Sequence, residues 1–273
     1  LQYSIDNGKT WNDYTLGDTI TLDDIGDSVK FKGTNARLGI NSSNFHNFVM
    51  TGEIKASGDI TSLLNEVGGD VAIPAYGCYE LFRGCASLTV APELPSTNLS
   101  SYCYKSMFSG CKSLTTAPEL PATTLASYCY QYMFFECELL ETAPSLPSTK
   151  LSQACYFGMF GKCSSLTVAP ELPATTLVSN CYQNMFIDCA SLTTAPALPA
   201  TTLVNSCYYG MFTRCVHLSY IKAMFTTTPS GETGNWVNGV ASTGTFVKNA
   251  AATWDVTGKN GIPSNWTVET ATA

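Results

Sequence analysis

The stretch that decides the fold is CYQYMFFECELLETAPSLPSTKLSQA, residues 129–154, because the chain repeats it: residues 155–180 read CYFGMFGKCSSLTVAPELPATTLVSN. Further copies start at Cys103, Cys181 and Cys207, with a shortened one at Cys78. The second cysteine of each copy falls at Cys85, Cys111, Cys137, Cys163, Cys189 and Cys215, a constant step of 26 residues. A fixed period of this size marks architectures in which each unit buries its apolar face against the next. The expected fold is an α/β solenoid with a 26-residue period, right-handed, over residues 66–220. A small all-β N-terminal cap domain is expected at 1–65 and a β-rich C-terminal cap at 221–273.

Within a copy, winding CYKSMFSGCKSL (residues 103–114) as a helix puts Cys103, Tyr104, Met107, Phe108, Cys111 and Leu114 inside an arc of ~140°. Ser101, Ser127, Gln153, Ser179 and Asn205 stand two residues before the first cysteine, and four of the five are good N-cap types. The half from Leu114 to Leu120, LTTAPEL, reads as extended. Pro118 cannot donate to a ladder, so a strand of about three residues is expected there.

Outside the repeats, YSIDNGKTWNDYT (residues 3–15) reads as a hairpin turning at Asp6-Asn7-Gly8. Further strands are expected at 19–22, 28–32 and 48–55. From Ile221 the repeat gives way to Gly, Thr and Asn, with Trp236, Trp254 and Trp266 among them. These indoles read as plugs for the last coil, with a sugar-stacking platform as the alternative.

The 273 residues are 45% hydrophobic and only 13% charged, about half the usual charged share. A net charge of −7 argues against a nucleic-acid partner and an anionic membrane surface. No stretch approaches the ~18 apolar residues of a membrane span, so no transmembrane segment is expected. The chain opens at Leu1 without a methionine or signal sequence, read as an address lost from this segment.

All twelve cysteines lie in the repeats. An even count first suggests disulfides. Eight helical residues would separate the two cysteines of one copy by ~12 Å, beyond the ~4.4–6.8 Å that a bridge spans. Equivalent cysteines of neighbouring copies point the same way, and Cys-x7-Cys misses zinc-site spacing. Two ladders of free, buried thiols are therefore expected, including Cys103, Cys129, Cys155 and Cys181 in one and Cys111, Cys137, Cys163 and Cys189 in the other. Tyr79, Tyr104, Tyr130, Tyr156, Tyr182 and Tyr208 form a third row, with hydroxyls expected to reach solvent or backbone. The recurring Glu93, Glu119 and Glu171 read as a solvated edge rather than a calcium site. Only His46 and His217 are present and no nucleophile, zinc or phosphate-loop motif accompanies them, so neither enzyme activity nor a cofactor is expected.

The spacing Phe-x-x-Cys-x-x-Leu, in MFSGCKSL and MFIDCASL, resembles the BspA-like leucine-rich repeat of bacterial surface proteins. The resemblance covers about half the chain. CY stands where Ile-Gly is common, and LxxAPxLP replaces LxxIxIP. It implies a secreted, non-catalytic protein at the extracellular or outer cell surface, working in adhesion or protein binding, with a host or extracellular-matrix protein as partner. A glycan-binding module using exposed aromatics is the alternative. Differences between copies cluster after the repeat phenylalanine, so Phe135, Glu136, Ile187, Asp188 and Arg214 are the expected partner-binding face. On the helix wheel they point to solvent.

Overall fold

The computed structural model describes residues 1–15, 17–24 and 26–271. Among them the strands are β1 (Gln2–Ser4), β2 (Asn12–Asp13), β3 (Lys30–Lys32), β4 (Gly39–Asn41), β5 (Asn44–Phe45), β6 (Ile54–Lys55), β7 (Leu88–Val90), β8 (Tyr220–Ala223), β9 (Thr245–Lys248) and β10 (Thr267–Thr270). They fall into four small, separate sheets, ordered β2-β1-β3, β4-β5, β6-β7 and β10-β9-β8. The only α-helix among the described residues, α1 (Ser62–Asn65), is four residues long. The expected α/β solenoid is overturned by these elements, since no copy of the repeat contains a helix.

The reason lies in the backbone of the CYKSMFSGC segment. Tyr102, Ser106 and Gly110 have φ of 62°, 55° and 77°, and Tyr128, Tyr132 and Glu136 repeat the pattern at 60°, 55° and 63°. A left-handed residue at every fourth position breaks any right-handed helix. The amides of Cys103, Lys105, Met107, Ser109 and Cys111 donate three residues back, at 3.0–3.3 Å. The amides between them, of Tyr102, Tyr104, Ser106, Phe108 and Gly110, donate to Ser127, Cys129, Gln131, Met133 and Phe135 of the next copy, at 2.8–3.1 Å. The segment is thus a run of turns whose alternate amides tie it to its neighbour. The expected N-caps cap nothing; the carbonyls of Ser101, Ser127, Gln153, Ser179 and Asn205 instead accept amides from the copy before.

Turn and helix nevertheless share their inward set. Cys103, Tyr104, Met107, Phe108, Cys111 and Leu114 are all buried. Phe82, Phe108, Phe134, Phe160, Phe186 and Phe212 stack in one column with centroids 5.5–5.8 Å apart. Tyr104, Tyr130, Tyr156, Tyr182 and Tyr208 stack in a second at 5.8–6.0 Å. Ring stacking adds roughly 0.5–1.5 kcal/mol per pair to the area each ring buries.

The extended halves pair less than expected. Strands form only at β7 and β8, in the first and last copies, and the copies between meet through isolated parallel bridges, among them Val90 to Thr116, Thr116 to Thr142, Thr142 to Val168, and Thr194 to Tyr220. Pro92, Pro118, Pro144, Pro170 and Pro196 follow two residues after these positions and supply no amide to prolong the ladder.

At the N-terminal end β1 pairs antiparallel with β2 and β3. The connecting turn places Asn7 at φ 64° and Gly8 at 88°. Residues 19–22 form no strand, the segment 28–32 is reduced to β3, and 48–55 to β6, which pairs parallel with β7. At the other end β8, β9 and β10 form a parallel sheet. The turn pattern outlives its letters there: Tyr208, Gly210, Phe212 and Arg214 donate to Glu232, Gly234, Trp236 and Asn238. No helix among the described residues is long and apolar enough to cross a membrane.

Candidate functional site

The twelve cysteines are unbridged and buried. The second thiol of each full copy donates to the phenylalanine carbonyl of the copy before: Cys111 Sγ to Phe82 O (3.1 Å), Cys137 to Phe108 (3.2 Å), Cys163 to Phe134 (3.1 Å), Cys189 to Phe160 (3.0 Å) and Cys215 to Phe186 (2.9 Å). Burial pushes the thiols of Cys85 and Cys207 up to about 11 and those of Cys78 and Cys215 to about 12, and it raises Cys103, Cys111, Cys129, Cys137, Cys155, Cys163, Cys181 and Cys189 as well. Buried free cysteine packs as a small hydrophobe, and these twelve line the interior. Among the described residues no group of three or more His, Cys, Asp or Glu side chains could hold a metal ion. His217 is exposed and its Nδ1 donates to Ala190 O (2.7 Å).

The expected partner-binding face is occupied with itself. Phe135 and Ile187 are half-buried, not free in solvent. A Cβ at Gly161 would lie 2.8 Å from Phe135 Cδ2 and 2.9 Å from Ile187 Cγ2, so the two side chains close over this glycine from opposite sides. Glu136 pairs with Lys162 Nζ at 2.6 Å, and Asp188 receives a bidentate grip from Arg214 at 2.5 Å. Likewise the ring of Tyr132 covers Gly158 and the amide of Asn184 covers Gly210. Much of the variation between copies is therefore a match of large against small, and of acid against base, across each junction.

Two grooves open elsewhere. One, of about 550 Å³, is lined by Leu151, Ser152, Gln153, Val178, Ser179 and Val204. The other, of about 370 Å³, lies between the segments Pro92–Pro95 and Pro118–Pro121. Beside them the column of bridge residues faces solvent, with Val168 at 67% exposure.

The tryptophan platform is corrected. Trp236, Trp254 and Trp266 are buried, and their indole N–H groups donate to Gly261 O (2.9 Å), Phe225 O (3.1 Å) and Ala241 O (2.8 Å). The Tyr104 hydroxyl, expected at solvent or backbone, is buried with no hydrogen-bond partner. Sequence reasoning missed another tyrosine column, Tyr76, Tyr102 and Tyr128, half-buried and stacked at 4.9 and 4.7 Å. Its signal was the same 26-residue step, just ahead of the cysteine–tyrosine pair. Its rings cover one another's faces and leave edges outward.

No protein-family model matches the chain, and no curated protein or solved structure matches it either.

Proposed function

We propose that this chain is a non-catalytic protein of the extracellular or outer cell surface that binds another protein through its repeats. One observation carries the proposal: both grooves are assembled from equivalent positions of consecutive copies, such as 153 with 179 and 178 with 204. A concavity built this way is shallow and continuous across copies. It suits an extended polypeptide better than a small molecule, which needs enclosure on most sides. The resemblance to BspA-like repeats supports the surface location and a host or matrix protein as partner. The face carrying Phe135, Glu136, Ile187, Asp188 and Arg214 belongs to the proposal as a second contact region, acting through its exposed edges.

Site-specific photo-crosslinking tests this. A photoreactive residue at position 153, at 214, or at the control position 269 is exposed to an extracellular-matrix extract, with a glycan array run in parallel. Discrete protein adducts from 153 or 214 but not from 269 are the expected result. Saturable glycan binding with no protein adduct at any position would reverse the assignment.

A further inference from the structure

We infer that the groove between the first copies takes an extended, basic segment of the partner, one bearing arginine or lysine side chains. This rests on the protein-binding proposal and names the chemistry of the partner. Four of its eight lining residues are proline: Pro92, Pro95, Pro118 and Pro121. Proline has no N–H, so these four residues present apolar rings and carbonyl acceptors but no donors. The amide of Glu93 is already spent on Gly58 O (2.9 Å). Glu93 and Glu119 stand exposed on the rim, at the same position of adjacent copies.

Among the described residues neither carboxylate has an ion-pair partner. The ion pairs among the described residues join Arg83 to Glu80, Lys112 to Glu138, Lys162 to Glu136 and Arg214 to Asp188. The nearby Asp59 and Asp70 add negative charge: Asp59 accepts from Thr61, and Asp70 accepts the amide and hydroxyl of Thr97, each at 2.7 Å. A groove rich in acceptors and carboxylates and lined by apolar rings complements a group that only donates, is cationic, and has an aliphatic stem. Arginine and lysine side chains meet all three conditions, the stem lying on the proline rings and the head at the rim. Lysine or arginine spaced along an extended chain would meet Glu93 and Glu119 in turn.

The test uses the full chain and a fluorescently labelled acetyl-Gly-Arg-Pro-Arg-Gly amide, titrated by polarisation at physiological salt. Glu93→Gln combined with Glu119→Gln should weaken binding about tenfold. Glu141→Gln with Glu269→Gln removes the same charge from exposed sites elsewhere and should change it less than twofold. A peptide with serine in place of both arginines should not bind. Equal weakening by the two double variants would show that only the net charge attracts the peptide and would overturn the inference, as would absence of saturable binding to the unaltered chain. In the latter case adducts from position 153 or 214 would still uphold the protein-binding proposal, so the two fail separately.

Discussion

Raising the pH should unfold this protein abruptly, because its core is a store of protonated thiols. A buried thiol keeps its proton to higher pH than one in the unfolded chain. Between the two pKa values the unfolded state is the one that loses protons, so stability is intact below the unfolded value and falls as pH rises. With unfolded thiols titrating near pH ~8.5 and folded ones at about 11 or higher, each thiol removes roughly half a kcal/mol at pH ~8.5 and over ~1 kcal/mol at pH ~9.5. Twelve such groups together remove ~5 kcal/mol at pH ~8.5 and ~15 kcal/mol or more by pH ~9.5, against a typical domain stability of ~5–15 kcal/mol. Unfolding is therefore expected between pH ~8.5 and pH ~9.5. The assay follows circular dichroism and thiolate absorbance together while the pH is raised. Both should change in one cooperative step. Thiolate absorbance rising near pH ~8.5 while the dichroism stays constant would show that the thiols meet solvent in the folded chain, and would refute the reasoning.

The remaining predictions concern packing. Phe134→Ala, which opens a hole between Phe108 and Phe160, should cost ~3–5 kcal/mol in urea unfolding. Gly161→Ala forces a methyl between Phe135 and Ile187 and should cost ~1–3 kcal/mol, seen as a lower Tm; an unchanged Tm would mean that those side chains do not close over it. Trp254→Phe strands the Phe225 carbonyl and should lose ~1–3 kcal/mol. Arg214→Ala, breaking only an exposed pair with Asp188, should cost less than ~1 kcal/mol by the same unfolding measurement.

The inward-facing residues were legible in the sequence, while the backbone that presents them was not. Cys103, Met107 and Cys111 recur at a spacing of four, which a helix and a run of turns with a left-handed residue at every fourth position bring to the same side alike. The discriminating letters lay between them. Gly84, Gly110, Gly158 and Gly210, with Asn180, Asn184 and Asp188, all occupy positive-φ positions, and these residue types tolerate that region best. The solvent-facing reading of Phe135 failed for a different reason. What buries it is a missing side chain at Gly161, one period further along the chain, and a single-copy helix wheel has no place for that. Beyond Ile221 the letters change while the turns persist, because those links run between backbone groups and demand no particular side chain.

Along the segment from Tyr102 to Gly110 and its counterparts in later copies, the amides that join the copies point one way. The peptide unit that carries the Tyr104 N–H also carries the Cys103 carbonyl, which accepts from Cys78; Tyr104 donates to Cys129, Tyr130 to Cys155, Tyr156 to Cys181 and Tyr182 to Cys207. Four further columns run alongside, through Tyr102, Ser106, Phe108 and Gly110. Aligned peptide dipoles in series reinforce one another, as along a helix axis. Here the orientation is opposite to that of a helix, with N–H groups directed towards the later copies and carbonyls towards the earlier ones. The repeats thus carry a built-in electrical polarity along the stacking direction, positive towards Arg214 and negative towards Cys78, that no count of charged side chains records.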